Sequence, residues 1–437
     1  MLRLIALLVL APAIALADGA PTAPGPEDFA IHGQATVIDQ GNLAFSAPYS
    51  GINSLPPIAE GRETADVTLY VGFAPWSGAE IWADPEFDQG FGLHNTTGVA
   101  GFLNGEGAKV GQSIPYFRLP RLFLRQTIDL GGKSSKVDPD LNQLGRSQSE
   151  DRLVLTVGKF NVTDVFDNNK YAHDPKHDFL NWALIDAGTF DYAADAWGYT
   201  IGASAEWSTG RWTFRAGVFD LSDVPNSEKL DAHFDQFQLV GEVERRYALA
   251  GRDGAIKLTG FLSRGRMGLF TDAIALGQDL GEAPSTALVR RYRSRPGVSL
   301  NLEQEVADGL GVFARAGWAN GAVEPYEYAD IDETISGGVS LGGKRWGRPN
   351  DTVALAGVVN QISKEHQAYL AAGGLGILVG DGRLPHPASE NILETYYDIA
   401  LAEAVHLSID YQFVDHPAYN ADRGPVSVFA ARLHAQF

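Results

Sequence analysis

The stretch Arg121–Thr127, RLFLRQT, carries Arg121, Phe123 and Arg125 at every second position. In an extended strand, residues so spaced share one face. Two guanidinium forks then flank one aromatic ring. Guanidiniums donate hydrogen bonds to hydroxyls and carboxylates, and the ring offers a flat apolar surface. This is equipment for holding a small polar solute weakly, without reacting with it. The same parity, applied to other alternating stretches, selects Asn301, Glu303, Glu305, Arg315, Asp410, Gln412 and Arg432. Glu106 and Lys109 join them if the glycine-rich stretch 85–118 folds inward.

Reactive constellations are weaker. His173, Asp174 and His177 suggest a hydrolytic dyad, but no paired nucleophile or oxyanion motif accompanies them. Asp164, Asp167, Asn168, Asn169 and Asp174 offer oxygen ligands to calcium. Their spacing departs from the twelve-residue EF-hand loop, and the segment reads as a hydrogen-bonded loop. The glycine-rich run 373–382 lacks the lysine of a phosphate-binding loop. We expect no metal, no cofactor and no enzyme activity.

The elements that must position these side chains are strands. In the final twelve residues, VSVFAARLHAQF, Phe429, Ala431, Leu433, Ala435 and Phe437 alternate with polar Arg432, His434 and Gln436. Similar alternation recurs at 30–39, 64–74, 79–84, 119–131, 152–162, 197–207, 212–221, 235–248, 255–265, 297–306, 311–320, 334–344, 351–362, 393–402 and 404–415. That gives about sixteen strands, an even number suited to a closed barrel. The connections alternate long and short. The link 132–151 is the exception, long where a short turn is due. Trp197, Tyr199, Trp207, Trp212 and Trp318 lie near strand ends and suit an interfacial aromatic girdle.

Composition narrows the alternatives. A net charge of −20 argues against nucleic acid, which needs a basic surface. The chain has no cysteine, so it has neither a disulfide scaffold nor a thiolate site. The mean hydropathy of −0.11 resembles that of a soluble protein, but in a barrel the lipid and lumen faces average out. No apolar run long enough for a helical membrane span follows the N-terminus. Residues 1–17 read as a signal peptide, with Arg3, an apolar run 4–16 and a cleavage site after Ala17. Residues 18–29 follow as a flexible lead-in, and 30–437 as one closed, all-β transmembrane antiparallel barrel in the outer membrane. Lumenal parity then becomes solute selectivity. A one-residue slip would turn every chosen side chain outward.

Several stretches resemble the OprB-type carbohydrate-selective porins of Gram-negative bacteria. They include HGQATVIDQG at 32–41, the PYSGINSL run ending at Leu55, GFGLHNTTGVAGFLNGEGAKVG at 90–111, RLFLRQTIDLGG at 121–132 and the long segment GKFNVTDVFDNNKYAHDPKHDFLNWALIDAGTFDYAADAWGY at 158–199. NLEQE at 301–305, AAGGLGILVGDG at 371–382 and PAYNADRGPVSVFAARLHAQF at 417–437 extend the likeness over nearly the whole mature chain. The resemblance implies a sixteen-strand channel for passive diffusion of glucose-like monosaccharides or small oligosaccharides. The expected partners are sugars, outer-membrane lipid and lipopolysaccharide, and the barrel assembly machinery through the C-terminal strand. Such a channel is a monomer or a trimer. A general small-solute porin and an outer-membrane barrel hydrolase are the rival readings.

Overall fold

The computed structural model describes residues 27–107, 110–230 and 233–437. The leader and its cleavage site lie outside these residues, as does Lys109. The alternating stretches form sixteen strands in one closed antiparallel barrel, each bonded to its sequence neighbours. The first strand, β1 (Phe29–Asn42), closes against the last, β16 (Val426–Gln436), in register from Gln34↔Gln436 to Asn42↔Val428. Phe437 extends this seam: its amide donates to the Gly33 carbonyl at 2.9 Å and its carbonyl accepts from Gly33 at 2.7 Å. Closure leaves no unpaired edge, which hydrocarbon would not tolerate.

The strands between are β2 (Glu60–Phe73), β3 (Ala79–Gly90), β4 (Gln112–Val137), β5 (Arg146–Phe160), β6 (Thr200–Thr209), β7 (Trp212–Asp220), β8 (Phe237–Leu249) and β9 (Arg252–Met267). They continue as β10 (Arg291–Ala307), β11 (Leu310–Ala319), β12 (Glu333–Gly342), β13 (Thr352–Gln361), β14 (Glu390–Ala402) and β15 (Val405–Asp415). Parity holds along them. Leu122, Leu155, Leu258, Leu300, Leu355, Leu393 and Phe429 are exposed on the outer face. Asn301, Arg315, Asp410, Gln412 and Arg432 are buried on the inner one. Short turns mark the periplasmic end by the usual rule for such barrels. Trp207 and Trp212 flank Phe214 there, the first stacked on it at 5.5 Å between ring centres.

Three features depart from the sequence reading. The long link 132–151 is no misplaced loop: β4 and β5 continue as a ribbon paired out to Val137↔Arg146. Trp197 and Tyr199 do not belong to the girdle. Strand β6 begins only at Thr200, and the two rings lie inside, against Arg118 and Arg121. The lumen, finally, is largely filled. Residues 161–199 run through it with Phe166, Phe179 and Phe190 fully buried. They carry a one-turn helix, α1 (Trp182–Ile185), whose first turn is capped by Asn181. Of the stretch 85–118, residues 91–107 fold in beside them while its ends belong to β3 and β4, and Phe102 stacks on Trp182 at 5.2 Å.

Candidate solute channel

The two inward loops leave open a cavity of about 790 Å³ along the wall formed by β2 to β5, the candidate channel. That volume falls within the usual range of small-molecule sites, about 300–1,000 Å³. Three arginines of β4, Arg118, Arg121 and Arg125, run down the wall beside Phe123. Arg121 and Arg125 follow strand parity, but Arg118 does not. Between β3 and β4 the register slips, with Asp84 opposite Arg121 and Glu86 opposite Arg118. Two steps on β3 therefore match three on β4. The extra residue lies at Leu119–Pro120, opposite Pro85. Proline cannot donate to the ladder and is confined to edges and bulges. The bulge rotates Arg118 into the lumen and Phe117 out to lipid, where Phe117 meets Phe87 edge-on at 5.5 Å. Uniform parity overlooks Arg118; the facing prolines were the signal that could have found it.

Each guanidinium is held by acids. Arg118 donates to Asp88 at 2.5 Å and Glu86 at 2.6 Å. Arg121 grips Asp164 with two bonds, 2.8 and 2.7 Å. Arg125 donates to Glu80 at 2.6 Å and to the carbonyl of Asn142. A guanidinium has more donors than these links consume. The remaining ones can serve hydroxyls, while the pairs keep the wall from acting as an anion trap. Aromatic faces lie over the same groups. Trp197 sits 5.0 Å from the Arg118 guanidinium and Tyr199 sits 5.1 Å from that of Arg121. The Trp197 ring is fixed by a 3.1 Å bond from its indole N–H to the Tyr116 hydroxyl. Burial and the surrounding carboxylates hold the Tyr199 phenol well above its ordinary range, although the arginines oppose this, so it stays protonated.

Across the channel stands Lys176. Its ammonium donates to Asp66 on β2 and to Glu106 in the other inward loop, both at 2.7 Å. Burial would lower its pKa, but the two carboxylates prevail and hold it well above the ordinary lysine range. Glu106 thus lies inside the barrel, on the channel. The sequence reading passed over Lys176 because it carries no alternation. A loop lysine in an acidic chain looks solvated until the fold brings the carboxylates to it.

The other chosen residues among those described also face inward but do not line the channel, and most of them hold loops. Arg315 donates to the carbonyls of Leu184, Asp167 and Ala172 at 2.7, 3.0 and 2.8 Å. Arg432 holds the carbonyls of Pro175, His177 and Asp178. Asn301 bonds Asp167 and Asn169, each at 2.7 Å. Glu303 accepts from the Lys170 amide at 2.8 Å, and Glu305 pairs with Arg252 at 3.1 Å. Gln412 donates to the Leu103 carbonyl at 2.8 Å, and Asp410 is buried beside it. Parity puts their side chains on the inner face. What it lacked was the loop layer between wall and water.

The Asp- and Asn-rich segment is spent on the same anchoring, through Asp164 to Arg121 and Asp167 to Arg315. Among the described residues no group of three or more His, Asp or Glu side chains is placed to hold a metal ion. His173 lies 3.7 Å from Asp186, and His177 packs edge-on against His434 at 4.4 Å.

A closed sixteen-stranded barrel with inward loops beside a polar, aromatic-lined path defines an outer-membrane diffusion channel. The family described as carbohydrate-selective porin, OprB family, matches residues 53–437. The chain belongs to that family and is a sugar-selective outer-membrane porin. Among solved structures it is similar to the high-pH form of Pseudomonas putida OprB, at 15% identity and a TM-score of 0.72, covering 94% of each chain. It is also similar to the outer-membrane channel DcaP of Acinetobacter baumannii, at 11% identity and a TM-score of 0.51, covering 96% of this chain and 99% of the other. No curated protein matches the sequence.

Proposed function

We propose that glucose-like monosaccharides and small oligosaccharides cross by passive diffusion along the strip formed by Arg118, Arg121 and Arg125 with Trp197 and Tyr199. No reaction is catalysed on the way. The observation that carries this reading is the pairing of guanidinium donors with ring faces on one channel wall. A pyranose has hydroxyls around its rim and C–H groups on its faces, and such a wall meets both. Binding must stay weak for the solute to leave. The test is swelling of liposomes carrying the purified protein, with glucose, a disaccharide and a size-matched amino acid. Glucose should enter faster than the amino acid and saturate with concentration. In Trp197→Ala that saturation should weaken by about tenfold, using the ~1–1.5 kcal/mol of a stacking contact. Equal, size-ordered rates in the wild type would leave a general porin.

The outer-membrane setting suggests two partners and one processing step. Arg264 and Arg266 face outward at the upper end of β9, with Tyr292 stacked 5.8 Å from the former. From Ile256 to Arg266 the strand climbs about 33 Å, or about 25 Å along the membrane normal at the usual tilt. That is the level of lipopolysaccharide phosphates, which these arginines would bind. Changing both to serine should lower the lipopolysaccharide retained through purification, and unchanged retention would remove this site. The seam strand with Phe437 is the segment offered to the assembly machinery. Removal of residues 1–17 precedes assembly, and N-terminal sequencing of the membrane-extracted protein checks it.

A further inference from the structure

The ribbon formed by the ends of β4 and β5 does not simply project from the barrel. Bulges separate Asp129, Gly131 and Ser134 in its register, and Gly131 and Gly132 adopt positive φ angles of 112° and 84°. Left-handed backbone of this kind is open to glycine and strained for most other residues. Beyond the kink, the turn 138–145 folds back beneath the barrel. Leu144 is fully buried, and Leu141 packs against the interior core.

The turn is braced within itself and tied to the wall. The Asp140 carboxylate accepts from the Leu141 amide at 2.7 Å, and the Gln143 side chain donates to the Asp138 carbonyl at 2.7 Å. The Asn142 side-chain amide donates to Asp84 at 2.9 Å, while the Asn142 backbone carbonyl receives Arg125. Arg146 pairs with Glu80 at 2.5 Å, the same carboxylate that holds Arg125. Gly145 and Glu27 exchange two bonds, at 2.8 and 2.9 Å, joining the turn to the start of β1. Asp140, Leu141, Asn142 and Gln143 then line the same channel as the arginines.

We propose that the turn 140–143 is the exit filter of the pore, a periplasmic constriction that sets the upper size of the sugar released. It rests on the sugar-channel reading and adds a second selecting element to it. The filter offers the side-chain amide of Asn142 and the polar ends of Asp140 and Gln143 to a departing solute. Arg125 belongs to both stations: it is the lowest guanidinium of the strip and the clamp on the turn. Size discrimination is thereby separated from ring recognition, which lies higher at Trp197 and Tyr199.

The chain has no cysteine, so a single introduced thiol reports on its position alone. In planar bilayers, Gln143→Cys treated with a bulky cationic thiol reagent from the periplasmic side should lose at least about half of its current. Lys136→Cys, on the exposed ribbon outside the channel, should lose none. Complete labelling of Gln143→Cys by mass with unchanged current would overturn the proposal. A second variant replaces residues 138–145 by Asn-Gly, a two-residue hairpin turn compatible with the Val137↔Arg146 pair. Its conductance should rise on the order of twofold and its discrimination between glucose and a trisaccharide should fall. Unchanged size discrimination in folded protein would count equally against the filter. If wild-type protein conducts ions yet shows no sugar preference, the sugar reading fails while the thiol result still decides the position of the constriction.

Discussion

Among the described residues Lys176 is the one ammonium held between two carboxylates on the channel, and its replacement by methionine has a calculable effect on the ions that pass. The side chain is 11% exposed and lines the channel. An ion passing about 5 Å from a unit charge, in water-like surroundings, interacts with it by about 0.8 kcal/mol. In 0.1 M salt the Debye length of about 10 Å reduces this to about 0.5 kcal/mol. Removing the charge helps a cation and hinders an anion by about 2.3-fold each. The cation-to-anion permeability ratio should therefore rise about fivefold. In 1 M salt, where the screening length is about 3 Å, the change should fall below about twofold. The assay is the reversal potential across a bilayer in a KCl gradient at pH 8. Methionine keeps the length and the apolar stem, but Asp66 and Glu106 lose their shared cation, so heat stability is measured alongside. An unchanged reversal potential at low salt, from protein of normal heat stability, would mean that ions do not pass this group. The channel path described above would then be wrong.

Three further outcomes follow from contacts elsewhere. Because the Lys176 pKa is raised in the folded state, its contribution to stability is complete below about pH 10.4 and is lost only as pH climbs through the higher folded value; Lys176 should resist amine-reactive labelling between pH 8 and 10, read by mass, whereas ready labelling there would identify an ordinary, exposed ammonium. Arg315→Met leaves three carbonyls and Asp167 without their donor and should cost about 3–5 kcal/mol; thermal unfolding should fall and open-channel noise should grow, and a quiet, fully stable variant would show that the loop is anchored elsewhere. A side chain at Gly33 would meet the Phe437 ring at 2.6 Å, so Gly33→Leu should weaken the seam by about 1–3 kcal/mol; the yield of heat-resistant barrel should drop while the conductance of inserted molecules stays normal.

The strand count was legible because a barrel forces each residue to choose between lipid and lumen. Leu122, Arg121 and Phe123 announce that choice directly. The rule depends on an unbroken period of two, and Arg118 shows where it stops: one extra residue at Leu119–Pro120 reverses the parity above it. Trp197 and Tyr199 fit an aromatic girdle only while β6 is allowed to begin too early. The role of Arg315 and Arg432 could not be read from their own strands, since it depends on carbonyls brought to them by residues 161–199. Those loop residues have no period, and their inward path is set by tertiary hydrogen bonds. The ribbon at 132–151 looked anomalous because polar Ser and Lys residues leave the lipid pattern once the strands pass the membrane edge.

The filling of the lumen gives the cylinder two unlike sides. From β2 to β5 the inner wall touches the water path, while much of the wall from β9 to β16 touches packed protein. A substitution on the first side is read by flux; one on the second is read by heat. The second side behaves as a buttress and obeys the rules of a globular interior, where volume and buried hydrogen bonds decide the outcome. Redesign for a different solute can therefore be confined to one side of the wall, with the other left to carry the load.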